Sequence, residues 1–189
     1  MAITQVARVA LAEREIELVV AVTPTGPLAH AIDAYRQAVA VRFGKNSAHD
    51  APPHCVVVRS YHDQPSSVRA YRRALAATLL NSPDHPRYIG VTALATVGSC
   101  HRLEIESPSL RALAVGLAAR GATMTRLNHV TAEGHLRLVL AADFEAGESD
   151  ALSELAHRVV DPMLPAQWHV GLWRRSNRAW TTIWREAAA

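Results

Sequence analysis

The run Pro52-Pro53-His54-Cys55-Val56-Val57, and much later in the chain Gly134-His135-Leu136-Arg137-Leu138-Val139-Leu140, decide how this sequence folds. Each is a short β-branched or alternating stretch that opens at a histidine, the signature of a strand. Side chains of a strand alternate between its two faces. Alternation puts His135, Arg137 and Val139 on one face and Leu136, Leu138 and Leu140 on the other. The leucine face reads as core. His54 and Val56 take the equivalent exposed face in the first run, with Cys55 buried behind them. Two such strands, one in each half of the chain, would aim two imidazoles into one cleft. Imidazoles titrate near neutrality, so one can accept a proton while the other donates one.

Working outward, apolar residues at three-or-four spacing predict helices near 27–42, 66–80, 107–120 and 149–160. The first carries Leu28, Ile32, Tyr35 and Val39 after the turn Pro24-Thr25-Gly26-Pro27, and the third opens with Ser107 as cap and Pro108 in the first turn. Strands are predicted at 16–22, 54–59, 88–97, 101–106, 135–141, 167–174 and 178–184. Helix, histidine strand, helix and two strands describe residues 27–106, and the same phrase describes 107–184. The expected fold class is therefore α+β. A single bilobal domain over 1–189, with 1–15 as an N-terminal extension, would hold two antiparallel sheets facing a central cleft, with helices outside.

Composition narrows the function classes. The chain has 189 residues, 49% hydrophobic and 20% charged, enough for one packed core. Apolar runs such as Leu18–Val22 fall far short of the roughly 18 residues a membrane helix needs. The N-terminal segment carries Arg8, Glu13, Arg14 and Glu15 and lacks a secretory apolar region. Two cysteines, Cys55 and Cys100, make no disulfide framework, so a cytoplasmic protein is expected. The formal charge of +3 is scattered, unlike the stripe of a duplex-binding module. There is no paired Cys-x-x-Cys or His-Glu-x-x-His for a metal, and no glycine-rich phosphate loop or Gly-x-Ser-x-Gly elbow. No metal and no cofactor is expected. The remaining partner is a small molecule or nucleotide in the cleft.

The chain contains ten histidines. A lone histidine at a strand end is more often structural than catalytic, and only His54 and His135 gain weight from equivalent positions in the repeat. His30, His49, His85, His101, His129, His157 and His169 read as surface or packing residues.

Pro52-Pro53-His54-Cys55 followed by Tyr61-His62-Asp63 resembles the first motif of the 2H phosphoesterase superfamily, which is marked by two His-x-Thr/Ser-x strands. Gly134-His135-Leu136-Arg137-Leu138 stands where the second motif belongs. Trp168-His169-Val170-Gly171-Leu172-Trp173-Arg174-Arg175 with Trp180 is similar to the closing hairpin of a bacterial, RNA ligase/cyclic phosphodiesterase-like branch. The resemblance spans about 18 to 185. It implies that His54 and His135 act as acid and base on a cyclic phosphodiester, with the residue two positions later holding a phosphate oxygen.

At those two positions this chain departs from the pattern, with Val56 and Arg137 in place of hydroxyls. Valine keeps the shape of threonine and loses the donor. Arginine supplies a forked cation suited to phosphate or carboxylate. Tyr61 and Trp173 are the expected ring-stacking residues of the cleft. Three readings stay open: a phosphodiesterase with altered anion binding, a repurposed cyclase, isomerase or hydrolase, and a binding protein without catalysis.

Overall fold

The structure is a computed structural model that describes residues 15–80, 88–120, 129–176 and 179–188. Apart from Glu15, the expected N-terminal extension lies outside the described residues. In chain order the elements are β1 (Ile16–Thr25), α1 (Pro27–Phe43), β2 (Cys55–Asp63), α2 (Val68–Leu80), β3 (Gly90–Val97), β4 (Cys100–Glu106), α3 (Pro108–Arg120), β5 (Arg137–Ala142), α4 (Ser149–Val159), β6 (Gln167–Ser176) and β7 (Ala179–Ala187). The helices form where the periodicity places them. Gly26, at φ +85°, turns the chain into Pro27, whose fixed φ suits the first helical position. Leu28, Ile32, Tyr35 and Val39 of α1 are all buried. Ser107 caps α3 as expected: its Oγ accepts from the Leu110 amide at 3.2 Å and donates to the Tyr88 carbonyl at 2.7 Å.

The strands form one antiparallel sheet in the order β3-β4-β5-β2-β1-β6-β7. Two separate sheets were expected, and the difference has a topological cause. Each repeat sends its closing hairpin to the other repeat's side: β3–β4 pairs with β5, while β6–β7 pairs with β1 beside β2. The two histidine-bearing runs thereby meet in the middle, and their pairing joins the halves into one sheet. Pairing also satisfies backbone groups that two separate central edges would leave open. The junction is narrow. Cys55 pairs with Leu138, and the next bridge joins Val58 to Ala132. Between those two points β2 advances three residues and its partner six, so residues 133–137 bulge out of register.

One side of the sheet carries the main core. Leu18, Val20, Val22, Cys55, Val57, Leu103, Leu138, Leu140, Val170 and Leu172 are fully buried there beneath the helices. α1 packs against α4, and α2 against α3. Each fully buried aliphatic side chain contributes about 1.5–3 kcal/mol, which makes this side the main source of stability. A smaller cluster of Val19, Ala21 and Trp173, flanked by Val56 and Trp180, lies apart from this core. Those residues occupy the alternate strand positions, on the side of the sheet away from the helices. No described helix is long and apolar enough to cross a membrane.

Candidate functional site

His54 stands immediately before β2, and the loop in front of it is held from α1. The Arg36 guanidinium, itself buried, donates to the carbonyls of Ala48 and Ala51, the latter at 2.7 Å. His49 belongs to the same brace: its Nε2 donates to the Arg36 carbonyl at 2.9 Å, and its Nδ1 accepts from the Asn46 amide at 3.1 Å. These bonds fix the path of 46–51 and hence the position of His54. A carbonyl can only accept, so the 2.7 Å contact with the Pro52 oxygen makes His54 Nδ1 the donor. In the neutral ring the lone pair is then left on Nε2. Burial lowers the His54 pKa below its ordinary 6.5; the Pro52 carbonyl opposes that shift, and the Arg36 charge adds to it. At neutral pH His54 is a neutral imidazole with Nε2 able to accept.

The wall beside it is aromatic. The His54 ring packs on Trp180 of β7, with centroids 4.4 Å apart, and Trp180 meets Trp173 edge-on at 6.3 Å. Trp173 lies flat over Gly171, where an added Cβ would come within 2.6 Å of its Nε1. A cavity of about 480 Å³ opens here, lined by Glu17, Ser47, Asp50, Ala51, His54, Arg175 and Trp180. Arg175 and Glu17 face each other across β6 and β1 and form a forked ion pair, with contacts of 2.7 and 2.8 Å.

Register orders the rest of this face. Val56, Ala21 and Gly171 follow one another across β2, β1 and β6, making a row of small side chains. One step along, Thr23 pairs with His169 on β6. Since Val22 pairs with Cys55, Thr23 also falls beside His54. A second histidine thus shares the cross-strand row of the first. Burial, and then the nearby Arg185 charge, lower the His169 pKa below 6.5.

Strand β5 alters the expected pairing of motifs. A local two-fold through the Cys55–Leu138 pair carries His54 onto Arg137 and Val56 onto Val139. His135 lies on an exposed bend two residues before β5 begins. Exposed and buried residues alternate from His135 to Leu138, and the Ile105 amide donates to the Leu136 carbonyl at 3.0 Å, so His135 keeps the side of Arg137 but stands one residue past the β4 pairing and out of register with β2. Arg137 is exposed, pairs across β4 with Glu104, and falls opposite Val56 when the Cys55–Leu138 register is continued.

Tyr61 was expected in the cleft and is found in the core, fully buried and packed against Tyr71 at 5.0 Å. Seven residues separate it from His54, and an odd separation reverses the face of a strand. Val56 stands where alternation places it. Cys55 is buried, and burial pushes its thiol up to about 12, as expected of a non-nucleophilic residue. Trp173 is on the predicted side, although nearly covered. Sequence reasoning passed over Trp180, Glu17 and His169. Alternation back from Trp173 and Gly171 reaches His169, and a hairpin closing at Ser176 and Ala179 pairs Arg175 with Trp180, so both signals lay in the sequence. Among the described residues no three His, Cys, Asp or Glu side chains converge to hold a metal ion.

No known protein-family profile matches the chain. It is similar to ubiquitin-associated and SH3 domain-containing protein B of Mus musculus and of Homo sapiens, with 27% identity over 167 residues and 86% of this chain covered. The matched stretch spans 26% of the mouse protein and 25% of the human one, so the chain covers about a quarter of the length of these curated relatives.

Proposed function

We propose that this chain is a 2H phosphoesterase-like protein. In this reading it takes a small, ring-bearing phosphate ester, a nucleotide or RNA end, on the helix-free side of its sheet, where His54 acts as general base in hydrolysis or ring opening of a cyclic phosphodiester. The two wings of the sheet, β3-β4-β5 and β2-β1-β6-β7, would be the two lobes of such a fold, meeting at the Cys55–Leu138 pair. The observation that carries the reading is the His54 ring: its Nδ1 is committed to Pro52, so Nε2 is the group presented for proton transfer. An in-line displacement needs a base for the incoming water, an acid for the leaving oxygen and donors for the developing charge. Arg137 supplies a forked donor. The motif resemblance offers His135 as the acid, and the cross-strand row offers His169.

Val56 and Val139, which the local two-fold relates, provide no hydroxyl. Each lost hydrogen bond to a charged oxygen weakens its stabilisation by about 1.5–3 kcal/mol. The expected result is slow turnover of simple 2′,3′-cyclic nucleotides that His54→Ala abolishes, and binding of 3′-nucleotides weakened about 10- to 100-fold by Arg137→Ala. Calorimetric titration with 3′-CMP and a product assay check both. Failure of the wild-type protein to bind 3′-CMP at millimolar concentration would overturn the phosphate reading.

The coordinated absence of both hydroxyls favours a second reading, a repurposed cleft in which Arg137 binds a carboxylate. Tight capture of a ring-bearing carboxylate without 3′-CMP binding would select it. Capture without any product in either case would identify a binding protein.

A further inference from the structure

A second cavity, of about 580 Å³, opens at the start of α2 and is lined by Val68, Arg69, Arg72, Arg73 and Ala76 together with Trp184 of β7 and the Pro65-Ser66 turn. It belongs to the helix side of the sheet: Trp184 packs against the main core, as do Tyr71 and Leu75 of α2. It is therefore separate from the His54 face.

The charge pattern here makes no sense as a stabilising device. Arg69 is three residues from Arg72 and four from Arg73, so it neighbours both on the helix surface and repels each. Arg69 lies in the first turn of α2, where the helix dipole already disfavours a cation. α2 contains no Asp or Glu, and among the described residues no carboxylate lies within ion-pair distance of these three guanidinium groups. Elsewhere Arg59, Arg158 and Arg175 each have an acidic partner. All three α2 arginines are exposed, while Trp184 is half-buried and contributes to the same cavity.

We infer that this cavity is a second ligand site, for the phosphates and ring of a nucleoside polyphosphate or of a 5′-phosphorylated single-strand end. Planar guanidinium forks match phosphate oxygens, and an indole face stacks on any base without reading its identity. The cavity volume lies within the roughly 300–1,000 Å³ of small-ligand sites. A bound polyanion would also remove the repulsion among the three arginines, which gives the ligand a reason to bind here rather than along the rest of the weakly charged surface.

The test is fluorescence titration of the full chain with ADP and with a 5′-phosphorylated oligouridine. Both probes are expected to change the tryptophan signal, and the part of the change that persists in His54→Ala/Arg137→Ala, which disables the cleft beside Trp173 and Trp180, should vanish when Trp184→Phe is added. In that double-variant background the affinity should fall with salt and drop at least tenfold when Arg72→Ala/Arg73→Ala is added. Equal affinity for the two probes identifies a free nucleotide as the occupant, and tighter oligouridine binding identifies a strand end. Three results would overturn the site: loss of ADP binding in Arg137→Ala with retention in the α2 variant, no response to either probe at millimolar concentration, or tighter binding of a poly-glutamate peptide than of either probe. Thermal melting of each variant shows that it is folded. Alanine is the best helix former, so the α2 variant should keep its helix.

Discussion

Strands β2 and β5 hold equivalent places on either side of the sheet's midline, yet they are built differently. β2 pairs along its length with β1, whereas β5 has six residues and begins only after the bend at Gly134 and His135. The local two-fold therefore relates His54 to Arg137 rather than to His135. Equivalence in a repeat belongs to backbone positions in the ladder, and a residue type in a matching letter string inherits it only if the register is continuous. One side of the midline presents an imidazole and the other a guanidinium, which under the proposed reading would divide proton transfer from anion binding.

The comparison is most directly broken by histidine variants. If His54 is the base and its two-fold counterpart Arg137 takes the place of a second histidine, His54→Ala lowers turnover by about 10²- to 10⁴-fold while His135→Ala changes it little. Equal losses in a product assay would restore the two-motif pairing. The midline itself is tested by Leu138→Ala, which opens a cavity opposite Cys55 in a fully buried position. It should cost about 2–5 kcal/mol in urea unfolding, and a cost below 1 kcal/mol would show that β5 is not anchored there. Val56→Thr and Val139→Thr sharpen the two-fold, since each returns a hydroxyl to one of the related positions. Both should tighten 3′-CMP binding by similar factors, up to about tenfold each by the worth of one hydrogen bond. A gain in one strand alone would show that the phosphate sits on one side.

The smallest effect concerns acid. Burial lowers the pKa of His54 and His169 on one wing and of His101 on the other. The unfolded chain takes up these protons near 6.5 while the folded protein resists them, so stability is full above that pH and declines as pH falls below it. His101 is buried beside Phe144 and bonded through Nδ1 to Tyr35. Thermal melting at pH 7.5 and 5.5 should show a lower Tm in acid, by about 2–4 °C for each kcal/mol lost, and a smaller decrease in His101→Phe. An unchanged Tm in the wild-type protein would remove these histidines as the cause.

Much of this architecture is legible in the chain. The helical stripes at Leu28, Ile32, Tyr35 and Val39, the Ser107-Pro108 start and the alternation that buries Cys55 behind His54 are local consequences of helix and strand periods. The same alternation, applied across seven residues, already places Tyr61 in the core. What periodicity does not carry is the relation between strands distant in sequence. Trp180 reaches His54 because the closing hairpin of one repeat lies on the strand layer of the other, and no local pattern in either segment encodes that pairing.

The sequence by itself determined the α+β class, the element order, the repeat and the position of His54 at the head of a strand, because these depend on periods of two and 3.6 residues and on caps a few residues away. Only the tertiary structure decided that the sheet is single, that Arg137 rather than His135 is the two-fold counterpart of His54, that Trp180 and the Glu17–Arg175 pair line the cavity at His54, and that His169 shares its cross-strand row. Those outcomes follow from long-range register: pairing Cys55 with Leu138 makes Arg137, two residues past His135, the counterpart of His54.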